Sequence, residues 1–212
     1  MDARRMLIAD SAIQVIGARG MRALSHAAVD TEAGLPKGST SYYCRKRIDL
    51  LRLTMRRLYD LDLVELRAAA DAMVAASPLA PKDVAWVVAG VVERWLSEER
   101  RPITRARFEL FLAVAHEEDL REMSHEHMRE VLEISAGVAG AIDPPSAIEH
   151  VTTTLLLADG VMLNVIRQGF PSPSREDLAR ILAASVGAPL PPADNAGRDI
   201  ELLREVWGDD DA

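Results

Sequence analysis

The residues with the most chemistry to offer sit together at 116–127, His-Glu-Glu-Asp-Leu-Arg-Glu-Met-Ser-His-Glu-His. Glu122 and His125 stand three apart, the spacing at which one helical turn offers a carboxylate and an imidazole to a di-metal centre. Such a centre takes a second Glu-x-x-His from another helix, and the sequence contains none. His125 and His127, two apart, fall on different faces of a helix. The segment therefore reads as a solvated helix junction, and no metal is expected. Cys44 is the single cysteine and stands beside Arg45, Lys46 and Arg47. Cations of this kind favour a thiolate and would suit a redox switch, while the plainer reading is a small apolar filler. One cysteine leaves no internal disulfide, so a reducing, cytoplasmic setting is expected. There is no Gly-x-Ser-x-Gly elbow, no Gly-rich phosphate loop and no paired-carboxylate signature, so neither an enzyme nor a cofactor is expected.

Charge is more informative. The 212 residues carry a net −8, which argues against a nucleic-acid partner only if it is evenly spread. It is not: residues 1–59 hold 11 Lys and Arg against 5 Asp and Glu, a net +6, leaving 14 against 28, a net −14, for the remainder. A basic head on an acidic body can meet phosphate at one end and stay soluble at the other.

The elements that would position these residues are all helical. The core is built from Ala, Leu, Val, Ile and Met, with only three each of Phe, Tyr and Trp, and no strand pattern or internal repeat is visible. Met6, Ala9, Ile13 and Ile16 recur at helical spacing over 3–18, and Gly20 follows as a stop. Ser25 caps a second helix over 26–33, ended by Gly34, and Pro36 suits the first turn of a third that reaches Tyr43. A long amphipathic helix is expected over 47–76, then helices over 83–96, from 101 through Ala115, and over 120–141. Ser146 and Glu149, at capping-box spacing, open an apolar helix to about Gln168, and a last core helix covers 174–186. Residues 187–212 read as a Pro-rich linker and acidic tail. No stretch is long and apolar enough for a membrane span, and the N-terminus lacks the pattern of a signal peptide.

Two short helices joined by a tight Gly-containing turn, behind a longer one, form a tri-helical helix-turn-helix that places its second short helix in the DNA major groove. The run Ser25-His-Ala-Ala-Val-Asp-Thr-Glu-Ala-Gly-Leu-Pro-Lys-Gly-Ser-Thr-Ser-Tyr-Tyr43, followed by Arg45-Lys-Arg-Ile-Asp-Leu-Leu51, closely resembles the DNA-binding signature of TetR-type repressors over about the first 55 residues. The resemblance implies that Lys37, Ser39, Thr40 and Tyr42 meet base edges or phosphates, with Tyr43 where the family often has His. It implies that Ser25 caps the second helix and can donate to a phosphate, and that Arg47 stands for the Lys that grips the DNA backbone. Cys44 departs from the pattern, standing where an aromatic usually packs the head together.

Beyond residue 60 the resemblance is one of architecture, and it implies a four-helix dimer interface made by the last two core helices. Independently, the helix over 151–166 has more apolar faces than one chain can cover, which points to a second copy or to a central core position. Leu155, Leu156, Leu163 and Ile181 are the interface candidates. Helices over 47–141 would enclose an effector pocket, with Trp86, Phe108, Phe111, Leu112, Met128 and Met162 as apolar walls. Asp159 and Asn164 would orient a ligand or be satisfied across the dimer.

The sequence thus implies an all-α protein with three parts: a helix-turn-helix DNA-binding domain over 1–55, a helical effector-binding and dimerisation domain over 56–186, and a tail over 187–212. The function it implies is a sequence-specific regulator, a homodimeric repressor released from a pseudo-palindromic operator on double-stranded DNA by a small apolar effector. The alternative is a helical small-molecule-binding protein of the same fold that has lost its operator.

Overall fold

In the computed structural model, described over residues 1–114, 117–142 and 148–183, the chain is helical, with a single isolated bridge between Leu79 and Ile142 among the described residues. The helices are α1 Ala3–Arg19, α2 His26–Glu32, α3 Ser39–Tyr43, α4 Arg47–Ala75, α5 Pro81–Leu96, α6 Arg101–Val114, α7 Glu118–Ala141, α8 Ile148–Gln168 and α9 Arg175–Ala183, with a 3-10 turn Met21–Ala23 after α1. The Ser146 capping box and the tail over 187–212 lie outside the described residues. The chain divides into two compact units, Met1–Leu66 with Glu98–Val131, and Arg67–Ser97 with Leu132–Ala212.

The first unit joins the three-helix head to α4, α6 and the start of α7 in one core. Ile8, Ala12, Ile13 and Ile16 of α1 and Leu24 pack with Val29, Cys44, Leu50, Met55 and Leu58, and with Ala106, Leu110 and Leu120. The α1–α6 packing is at backbone range: a Cβ built on Gly17 would fall 2.0 Å from the Pro102 carbonyl oxygen, so only glycine fits. Polar ties reinforce the same contacts. Arg57 of α4 grips Asp10 of α1 through Nε and Nη2, at 2.7 and 3.2 Å, and the Met21 amide donates to Glu109 of α6 at 3.2 Å.

In the second unit α5 packs on α8 and α9. Pro81 sits in the first turn of α5, where its missing N–H costs nothing, and the Asp83 carboxylate accepts the Ala80 amide at 2.9 Å. Val84, Val88, Val91, Val92 and Trp95 form its buried stripe at three- and four-residue spacing. Arg175, at the start of α9, stacks over Trp86 at 4.4 Å and donates from Nε to the Trp86 carbonyl, while the Ser172 hydroxyl donates to the Leu96 carbonyl at 2.8 Å. On α8 the buried residues are Val151, Thr154, Ala158, Val161, Met162 and Val165, a single stripe. The other side carries apolar residues that are exposed among the described residues, Leu156 at 60% and Leu163 at 45%.

Candidate functional site

The head is built outward from α2. Ser25 is its N-cap, its hydroxyl oxygen accepting the Ala28 amide at 3.1 Å. The helix ends in a Schellman turn: Gly34 takes a φ of 63°, its amide donates to the Thr31 carbonyl, and the Leu35 amide donates back to the Asp30 carbonyl at 2.8 Å. Ala28, Val29 and Leu35 then pack against the α1 core.

The third helix starts later than the sequence suggests. Pro36 does not open it; Pro36, Lys37 and Gly38 form a turn, with the Ser39 amide and hydroxyl both donating to the Pro36 carbonyl at 3.1 and 2.6 Å. Gly38, at φ 91°, is the N-cap in a left-handed conformation that a side chain would strain. The residue holding this turn is Asp30, which the sequence reading did not single out. Its carboxylate, 3% exposed, accepts the amide of Gly38 through Oδ2 and the amide of Thr40 through Oδ1, each at 2.7 Å. Burial opposes its ionisation, yet hydrogen bonds from Thr40 and Gly38 and the charge of His26 outweigh that, holding the carboxyl below its ordinary range.

With the helix beginning at Ser39, its faces differ from expectation. Thr40 is fully buried, so it packs within the head and cannot meet DNA with its side chain. Cys44, four residues on, is buried with it. The outward residues are Ser41 and Tyr42, the latter 81% exposed. Lys37 is exposed and Ser39 half-buried at the approach to the helix, and Ser25 is exposed at the cap of α2. Tyr43 is half-buried, edge-on to Tyr42 with centroids 5.2 Å apart and with the Arg5 guanidinium 5.5 Å from its ring centre. Arg47, expected on the DNA backbone, has other partners here: it donates to the carbonyls of Leu24 and Met21, tying the 3-10 turn to the start of α4. The cations beside Cys44 do not activate it. Burial and the Asp49 carboxylate push its thiol up, against a weaker opposing effect of Arg5, so the filler reading describes it and the thiolate reading does not.

The candidate effector residues fall in different units. Phe108, Phe111, Leu112 and Met128 belong to the first, Trp86, Asp159 and Met162 to the second. Phe108 and Phe111 meet edge to face at 6.1 Å, whereas Leu112, at 73% exposure, is no wall of a closed cavity in the chain as it stands. Met162 is buried in the α8 stripe, and Asn164 accepts from Arg167 at 2.9 Å. The first unit also carries a buried polar group that sequence spacing does not reveal: Arg107 of α6 pairs through two nitrogens with Asp62 of α4, their side chains 3% and 5% exposed. The segment expected to be a solvated junction follows α6 and runs into α7, which opens at Glu118, with Glu122 and His125 exposed and His127 half-buried against Tyr59. Among the described residues no group of three or more His, Cys, Asp or Glu could hold a metal ion, and no helix is long and apolar enough to cross a membrane.

A short outward-facing helix on a tri-helical basic head, followed by helices of a larger body, defines a helix-turn-helix regulator with a helical second domain. Comparison with known proteins sharpens the class. A family model described as tetracyclin repressor-like, C-terminal domain, matches residues 79–188, and the chain belongs to this family of TetR-type transcriptional regulators, which are not enzymes. Among solved structures, the multidrug binding protein EbrR complexed with imidazole is 27% identical, with a TM-score of 0.64 over 92% of this chain and 99% of that one. The same protein complexed with ethidium is 28% identical, at 0.64 over 86% and 98%. A TetR family member, SCO1917 from Streptomyces coelicolor A3, is 26% identical, at 0.66 over 87% and 98%. No curated protein matches the chain.

Proposed function

We propose that this chain is a cytoplasmic, homodimeric repressor whose two α3 helices enter successive major grooves of a pseudo-palindromic operator, and which a small effector releases. The observation that carries the reading is the presentation of Tyr42, 81% exposed at the outer face of α3, on a head of net charge +6. Lys37, Ser25 and Ser39 border it, and Tyr43 braces it from behind. Thr40 drops out of the contact set and Ser41 takes its place as the outward hydroxyl. Arg47 serves the surface indirectly, by fixing the 3-10 turn against α4.

For dimerisation, the exposed side of α8 with Leu156 and Leu163, flanked by half-buried Leu155 and Ile181, supports a second copy as its cover. For the effector, the EbrR complexes with imidazole and ethidium support an aromatic small molecule, and within the first unit Phe108, Phe111 and Met128 are the residues of matching chemistry. Because α4 is continuous from Arg47 to Ala75, an effector that shifts its packing in the body would alter the spacing of the two heads. By linkage, operator and effector then weaken each other equally.

The test is fluorescence anisotropy on DNA from upstream of the protein's own gene against random DNA, over a salt series, with Tyr42→Ala beside the native protein. Tight, salt-steep, sequence-dependent binding that the variant loses by about 1–3 kcal/mol supports the reading. Binding by a folded dimer no better than to random DNA overturns it and favours a binding protein without an operator.

A further inference from the structure

We propose that His26 and Asp30 act together as positioning residues for DNA recognition, one turn apart on α2, clamping α3 by its two ends. The inference rests on the DNA-reading role of α3 proposed above and adds the residues that set its pose. At the N-terminal end, the Asp30 carboxylate takes the amides of Gly38 and Thr40, both at 2.7 Å. At the C-terminal end, His26 Nε2 donates to the carbonyl of Cys44, the C-cap of α3, at 2.7 Å. The spacing of four on α2 puts both side chains on one face. The chemistry is matched to the need. A helix leaves amides without partners at its start and carbonyls at its end, and an acceptor with negative charge faces the first while an N–H donor faces the second.

Why α3 needs such a clamp follows from its length. Five residues form barely more than one turn, far below what holds a helix by itself. Its packing is also thin: within Ser39–Tyr43 only Thr40 is fully buried. Asp30 alone meets three amides, two in the segment between the helices and one in α3, since its backbone carbonyl takes Leu35 while its side chain takes Gly38 and Thr40. No isosteric replacement does this: asparagine offers one acceptor and turns an N–H donor toward another N–H donor. A second consequence concerns DNA directly. With the Gly38 and Thr40 amides occupied from inside, the start of α3 has fewer free amides for a phosphate, so recognition falls to Lys37, Ser41 and Tyr42.

A clamp that positions without touching DNA makes a distinctive prediction. Asp30→Asn breaks one of the two carboxylate hydrogen bonds and His26→Phe breaks the bond to Cys44, and neither removes an outward cation, so non-specific binding to random DNA stays within about twofold while preference for the operator falls by about tenfold or more. The experiment is to enrich binding sites for the full-length protein from a random DNA pool. Operator and random-DNA affinities of the native protein and both variants are then measured, with circular dichroism to confirm folding and hydrogen exchange to follow the Gly38 and Thr40 amides. Selective loss of discrimination, with faster exchange of those two amides in Asp30→Asn, supports the clamp. Native discrimination in folded variants overturns it and leaves the regulator reading standing, whereas a native protein that enriches no sequence overturns both. If a variant unfolds, the native protein decides: Gly38 and Thr40 amides exchanging as fast as exposed loop amides overturn the clamp, and protection at the level of the α1 core supports it.

Discussion

The imidazole of His127 lies flat against the ring of Tyr59, with ring centroids 3.9 Å apart and planes 3° from parallel. The stack joins α7 to α4 within the first unit and stands beside the buried pair of Asp62 and Arg107, whose charges both act on the histidine. Burial lowers the proton affinity of His127, with Arg107 acting in the same direction and Asp62 and Glu130 opposing it. Burial also pushes the Tyr59 phenol up, with Asp62 adding to the effect, so the stack consists of two neutral rings at neutral pH.

The pH dependence follows in sign. A histidine whose folded-state pKa is depressed takes its proton first in the unfolded chain, where the pKa is about 6.5. Above that pH the group is neutral in both states and contributes no slope. As pH falls below it, stability is lost until the folded form also protonates. Urea unfolding at pH 7.5, 6 and 5 is expected to show a falling unfolding free energy, and His127→Phe, which keeps a ring on Tyr59, is expected to flatten that slope. An unchanged slope in the variant would assign the acid sensitivity elsewhere.

The Asp62–Arg107 pair predicts an asymmetry. Arg107→Leu leaves a carboxylate buried without its cation and is expected to cost about 3–5 kcal/mol, while Asp62→Leu with Arg107→Leu removes both charges and is expected to cost much less. A double-mutant cycle by chemical denaturation measures the difference. Additive losses in the double variant would show that the two groups do not depend on each other.

Gly17→Ala is expected to destabilise the protein by several times the usual effect of an alanine in a helix, where glycine is otherwise the worse residue by about 1 kcal/mol. The reason is the Pro102 backbone, 2.0 Å from where the methyl would sit and unable to move like a flexible side chain. Thermal unfolding reads the loss, and a variant at least as stable as the native protein would refute the close approach of α1 and α6.

For the dimer, Leu156→Asp with Leu163→Asp is expected to convert the protein to a monomer by sedimentation while leaving its helical content unchanged, because both side chains already face outward. Loss of helicity instead would mean that these leucines support the fold of their own chain.

Much of this was legible in the sequence. The helix-turn-helix boundaries of α1 and α2, the Ser25 cap and the reach of α4 followed from periodicity and cap chemistry, which are local. The start of α3 was misplaced for a reason that is not local: Pro36 is a good first residue of a helix, but Asp30, on the preceding helix, holds the amides that delay it to Ser39. With the helix starting at Ser39, the outward hydroxyl is that of Ser41 and not Thr40. The aspartate itself was readable only as a polar residue amid an apolar pattern. Pairings between distant residues, Asp62 with Arg107 and Tyr59 with His127, leave no trace in spacing, since each side chain sits within a helix whose pattern is complete without it.

The contact of Gly17 with Pro102 bears on how freely such a head can be exchanged. A recognition module joined by a tether can be transplanted by cutting the tether, but this head shares its interior with α6. A cut after Cys44 would part Ile13 and Ile16 from the cluster they share with Ala106 and Leu110, and a foreign head set on this body would place a new residue against a carbonyl that tolerates only hydrogen. Retargeting this protein to new DNA is therefore a matter of rewriting the outer face of α3 in place, and successful grafts will be those that carry α6 along with the head.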